Sequence, residues 1–221
     1  MQLESRDYVW ALHSQSQDLL LERCIRLCDN TLVWQDARNL GLFIWLQKID
    51  VVRDQMAAIA RNIYLSKSAE ARDPVDCTLY YLALRKKNLI EGLWKTTSSH
   101  KEQVAMKKFL ANDFTDPRWQ RAASKNAFAL LGKQRFEYAA AFFLLADKLK
   151  DAVNVILKNI KDFQLAIAIC RVYEGDHSPL LREILENAVI PMAIENNDRW
   201  LISMAYWLLD RHKDAVRAMV V

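Results

Sequence analysis

A chain of 221 residues can form one large domain or two small ones and bury a sizeable core, and its four Gly and four Pro are too few for a sandwich or barrel. Just over half of the residues are apolar, no apolar run approaches the roughly 18 residues that cross a bilayer, and MQLESRDYVW has neither a basic nor an apolar signal region, so a soluble, unexported, helical chain is expected. The net charge of +4 is uneven: residues 85–135 hold twelve Lys or Arg against four Asp or Glu, a net +8, which leaves −4 for the rest.

Residues 3–13 and 16–28 read as two helices, the second capped by Ser14 or Ser16, with Leu19, Leu20, Cys24, Leu27 and Cys28 at helical spacing. A short helix from Trp34 to Leu40 ends at Gly41, and Phe43, Ile44, Trp45 and Leu46 form a bulky apolar turn. From Asp50 to about Leu65, Val51, Val52, Met56, Ile59, Ala60 and Ile63 make a stripe. Residues 66–73, small and charged without periodicity, are the one linker-like segment and a candidate sub-boundary. Asp73-Pro74, Asp116-Pro117 and Ser178-Pro179 each place an N-cap before a proline at the first helical position.

Further helices follow at Leu79–Ala83, Leu89–Trp94, Val104–Leu110, Trp119–Leu131, Phe136–Ala146, Lys150–Leu157, Phe163–Tyr173, Leu180–Val189 and Trp200–Leu209, and Pro191 kinks or restarts one of them. Gly132 suits a left-handed helix end. Between Phe136 and Ala146 only Glu137 is polar, so that helix has almost no wet face and must be covered on most sides. The uncapped apolar end, Ala218 to Val221, reads as a cut in a longer protein, because terminal repeats carry a wet outer face.

Residues 147–153, DKLKDAV, recur 63 positions later as DRHKDAV, with five of seven identical and an apolar run before each. That period holds two helix-turn-helix units. The expected fold is therefore all-α, an α-solenoid of stacked antiparallel helix pairs, with residues 1–221 forming a piece of a longer one.

Chemistry is sparse. Four scattered glycines exclude a phosphate-binding loop, and His13, His100, His177 and His212 stand apart from one another and from any Cys that would complete a metal pair. Cys24 and Cys28 lie one turn apart without two further ligands, so buried thiols in a reducing compartment are expected. Glu183 and Glu186 are an ordinary solvated pair. No catalytic, cofactor-binding or metal residue is assigned, and no cofactor is expected. Of seven tryptophans, Trp10, Trp34, Trp45, Trp119, Trp200 and Trp207 sit on apolar stripes and read as core. Trp94, following the triplet Arg85, Lys86 and Lys87, is the one expected at an interface together with that triplet.

The run NAFALLGKQRFEYAAAFFLLADKLKDAV from Asn126 resembles the most distinctive segment of the Rav/DmX-like family, which includes the rabconnectin-3 alpha subunits. KNIKDFQLAIAICRVYE from Lys158, SRDYVWALHSQS from Ser5, WQDARNLGLFIW from Trp34 and YYLALRKK from Tyr80 are similar to other parts of that family. The resemblance covers nearly the whole chain and is strongest from Trp119 to Glu174. It implies part of the helical solenoid that follows the family's β-propellers, and a non-enzymatic scaffold for assembly of the vacuolar proton-translocating ATPase (V-ATPase), bringing its soluble V1 sector to the membrane Vo sector. The implied partners are V1 subunits and companion subunits of the assembly complex. The implied place is the cytoplasm, peripheral to vacuolar, endosomal or synaptic-vesicle membranes. No small-molecule substrate is expected. The alternative, raised by residues 85–135, is electrostatic binding of anionic membrane or nucleic acid, which ordinary solvation of a basic face disfavours.

Overall fold

The computed structural model describes residues 7, 8, 10, 11, 16–97 and 100–220, and among them every regular element is a helix. The all-α expectation holds. In chain order the elements begin with α1 (Gln17–Leu27), α2 (Trp34–Asn39), α3 (Leu42–Trp45), α4 (Ile49–Leu65), α5 (Val75–Ala83), α6 (Lys87–Thr96) and α7 (Gln103–Leu110). They continue with α8 (Pro117–Gly132), α9 (Phe136–Leu145), α10 (Leu149–Val155), α11 (Phe163–Glu174), α12 (Pro179–Ile184), α13 (Ile190–Glu195), α14 (Arg199–Leu208) and α15 (His212–Val220). Of the helix expected at 3–13, residues 7, 8, 10 and 11 are helical, and the others, like Ser14, lie outside the described residues.

Two compact units share the chain. Unit 1 comprises Met1–Asn30, Gln35–Val52 and Phe163–Val221, and unit 2 comprises Thr31–Trp34 and Arg53–Asp162. The linker-like residues 66–73 lie inside unit 2, where Ala69–Ala71 forms a 3-10 turn between α4 and α5. Most of these residues are exposed.

Unit 2 is built around α9. Tyr138 to Ala146 are all buried, because an apolar helix with alanines at 139–141 lets α5, α8 and α10 approach on several sides. Rings fill the rest: Phe109 of α7 stacks on Phe142 at 5.6 Å, and Phe128 of α8 meets Phe143 edge-on at 5.1 Å. Burying Phe142, Phe143, Leu144 and Leu145 contributes about 2 kcal/mol each. Asp162, also buried, accepts a hydrogen bond from the Trp34 indole N–H at 3.0 Å and so ties residues far apart in sequence.

Helix starts follow the sequence. The Asp116 carboxylate accepts the Arg118 N–H at 2.7 Å, the Ser178 hydroxyl accepts the Leu181 N–H at 3.3 Å, and Asp73 accepts the Val75 N–H at 2.9 Å. Helix ends do not. Gly132 is the last residue of α8, and the left-handed position falls two residues later on Gln134, with φ 58°. There the Gln134 N–H bonds back to the Leu131 carbonyl and the Arg135 N–H to the Leu130 carbonyl. The same paired bonds close helices at Arg85, Asp147, Asn197 and Asp210, all at positive φ and none a glycine. Packing that fixes the next helix selects the turn, and the side chain tolerates it.

The sequence repeat is a structural one. α9 spans 136–145 and α14 spans 199–208, the left-handed residues are Asp147 and Asp210, and α10 and α15 begin at Leu149 and His212. Every one of these offsets is 63. α14 is less covered than α9: Ile202, Met204, Tyr206, Trp207 and Leu208 are half-buried, whereas their counterparts are buried. Consecutive helices pack as neighbours in both copies, α8 on α9 on α10 and α13 on α14 on α15.

In unit 1, α11 packs on α3, whose residues Leu42 to Trp45 are all buried after a left-handed Gly41 at φ 58°. Between α12 and α13 the helix widens into a π turn at Leu185–Val189 just before Pro191. Proline has no N–H and its ring crowds the carbonyl four residues back, and a wider turn relieves that crowding without ending the helix.

Candidate functional site

Reactive groups are disarmed by burial. The Cys24 thiol is pushed up to about 11 and the Cys77 thiol to about 12, in both cases chiefly by desolvation, and burial likewise raises Cys170. Thiolates are disfavoured at all three sites. Among the described residues, no three His, Cys, Asp or Glu side chains are grouped as a metal site. Ser178 donates to the Glu174 carboxylate and accepts the Leu181 N–H as the cap of α12, which commits its hydroxyl to the helix start. Glu186 pairs with Arg182 at 3.6 Å, and His13 lies outside the described residues.

The most organised polar groups serve the backbone. Arg171, with no exposed surface, donates to the carbonyls of Phe43 at 2.5 Å and Leu46 at 2.7 Å and forks onto Asp176 at 2.5 and 3.2 Å. Buried Gln17 completes the hold on that segment: its amide donates to Ala11 and Trp45 carbonyls and accepts the Gln47 N–H at 2.9 Å. A groove of about 800 Å³ runs past Arg171, Asp176, His177, Arg182, Trp207 and His212. Its lining carries side chains of both charges, and the His212 imidazole lies 4.4 Å from the Trp207 ring at a tilt of 50°.

The basic triplet is divided among tasks. Arg85 takes the left-handed turn after α5 and reaches Asp147 at 3.5 Å, while Lys86 is exposed at the start of α6. Lys87 folds inward, donating to the Leu110 carbonyl at 2.8 Å and the Asn112 carbonyl at 3.1 Å, and so caps the end of α7. Trp94 corrects the surface expectation: it is fully buried beneath α6, on the same face as Ile90, edge-on to His100 with ring centroids 5.0 Å apart. A ring with no exposed area offers a partner nothing. Trp10, expected in the core, is instead 49% exposed.

A family model described as RAVE protein 1 C terminal matches residues 1–221. The chain belongs to that family. Its curated relatives include the Regulator of V-ATPase in vacuolar membrane protein 1 of Saccharomyces cerevisiae, 44% identical over 97% of this chain, and its Schizosaccharomyces pombe namesake, 39% identical over 99%. Human DmX-like protein 1 is 34% identical over 99%. The match covers 15%, 17% and 7% of those three proteins respectively, so the chain spans only a small part of the length of each.

In this RAVE C-terminal chain, sequence reasoning missed Arg171 and Gln17. One signal for Arg171 was present: a lone cation inside LAIAICRVY, on a helix as free of a wet face as α9. No comparable signal marked Gln17, whose partners Ala11, Trp45 and Gln47 come from stretches separated in sequence.

Proposed function

We propose that this chain is a non-enzymatic scaffold segment, a piece of an α-solenoid, that promotes assembly of the V-ATPase by bringing its soluble V1 sector to the membrane Vo sector. The observation that carries the reading is the 44% identity, sustained over nearly the whole chain, to a protein named as a regulator of V-ATPase in the vacuolar membrane. The distribution of polar chemistry supports it. Buried charges and amides are spent on backbone carbonyls and helix caps, and surface is what remains for work. Partners are V1 subunits and companion subunits of the assembly complex. No described helix is long and apolar enough to cross a membrane, which suits peripheral recruitment through protein contacts to the vacuolar or an endosomal membrane.

The test is replacement in cells. This chain is exchanged for the matching region of the S. cerevisiae relative, and vacuolar pH is read with a ratiometric dye. Acidification restored by the exchange and lost on deletion of the region supports the proposal. Normal acidification without the region overturns it.

A further inference from the structure

Helix α8 shows an unusual outer face. At 3.6 residues per turn, Arg118, Arg121, Lys125, Phe128, Ala129 and Gly132 fall within one arc of about 100° and extend over about 15 Å for the first four. All six are exposed, none is acidic, and Phe128 is 60% exposed. Lys107 and Lys108 of α7 are exposed as well. Among the described residues, none of these five cations has a carboxylate within 4 Å. The nearby acids are committed elsewhere: Glu102 to Arg135, Asp113 to Thr115 and Asp116 to the α8 cap.

We propose that this face docks an acidic amphipathic helix of a partner protein, with carboxylates opposite Arg118, Arg121 and Lys125 and an apolar side chain against Phe128. Three features favour a helix over other polyanions. The Phe128 ring is already held edge-on by Phe143 at 5.1 Å, so ordering it costs little entropy on docking. Ala129 and Gly132, beside it on the same arc, let a second backbone approach. Asp113 and Asp116 bound the basic stripe at the start of α8 and would repel a continuous phosphate chain running along it. A bilayer would find one exposed ring here, because the opposite face of α8 is packed on α9. The proposal stands apart from the V-ATPase reading and survives its failure.

The experiment uses the intact 221-residue chain and a fluorescein-labelled peptide about five turns long, with glutamates at one-turn spacing and a leucine on the same stripe. A control peptide has the same composition with the glutamates scattered around the helix. Phosphatidylserine-containing vesicles and a single-stranded RNA are the other arms. The striped peptide is expected to bind about tenfold more tightly than the scattered one and to weaken as salt shortens the screening length below about 10 Å. Arg121→Glu with Lys125→Glu is expected to abolish binding, and a lysine-striped peptide to recover it on that variant. Arg121→Gln with Lys125→Gln serves if the reversal disturbs folding. Equal affinity for the two peptides, no binding by either, tighter binding of vesicles or RNA, or indifference to the neutralised variant would each overturn the proposal.

Discussion

A guanidinium sealed from water needs acceptors on every side, and Arg171 finds them in Phe43, Leu46 and Asp176. Cutting it back strands two carbonyls and a carboxylate that were positioned for it. Arg171→Met is therefore expected to cost about 3–5 kcal/mol, read as a lowered urea midpoint by circular dichroism. Wild-type stability would mean that water or another donor takes over those acceptors. Glu102 gives a milder, pH-dependent case. Burial works to raise its carboxyl, but the Arg135 hydrogen bond at 2.7 Å and its charge outweigh that and hold the group below its ordinary value. Because the folded carboxyl ionises more readily than the unfolded one, the pair adds stability above the ordinary carboxylate value of about 4 and loses it as pH falls through the lowered folded value. Glu102→Gln is expected to cost about 0.5 kcal/mol at pH 7, the pair being partly exposed, and to match wild type in strong acid. Melts at several pH values check it; a constant gap across pH would assign the loss to packing.

At the scale of elements, apolar periodicity and N-cap chemistry were enough to place α9 and the starts of α8 and α12 from sequence, because each is decided within one or two turns. The end of α8 was not legible. Gly132 is the residue that local propensity nominates for a left-handed turn, yet the chain turns at Gln134, where the return of α9 onto α8 sets the geometry. Two substitutions test this in opposite chemical directions. Gly132→Ala, inside the helix with open space around the added carbon, is expected to stabilise by about 0.5 kcal/mol, and Gln134→Gly, relieving the positive φ, by up to about 1 kcal/mol. Destabilisation by the alanine would put the turn back at Gly132. For α9 itself, Ala140→Glu sets an unpaired charge at a position with no exposure and is expected to cost several kcal/mol, seen as a large fall in melting temperature. An unchanged melt would mean that α9 is not enclosed.

At the scale of the whole molecule, the sequence carried the helical class and the 63-residue repeat, whose second copy the structure reproduces from the start of α14 to that of α15. Interface residues were harder to read. Lys87 and Trp94 occur in a stretch that looks wet and basic, but Lys87 caps another helix and Trp94 packs inward, since both outcomes depend on where α7 and residue His100 arrive. The more open basic face proved to lie on α8, where helical phase rather than local charge density brings Arg118, Arg121 and Lys125 together.

The proposed function is to hold protein surfaces of the V-ATPase. Its most direct measurement is binding of the purified chain to isolated V1 sector by biolayer interferometry, with binding mapped by cross-linking. A saturable, stoichiometric complex with cross-links confined to one helical face is the predicted result. Absence of binding to V1 under conditions where a longer relative containing the same region does bind would contradict the claim.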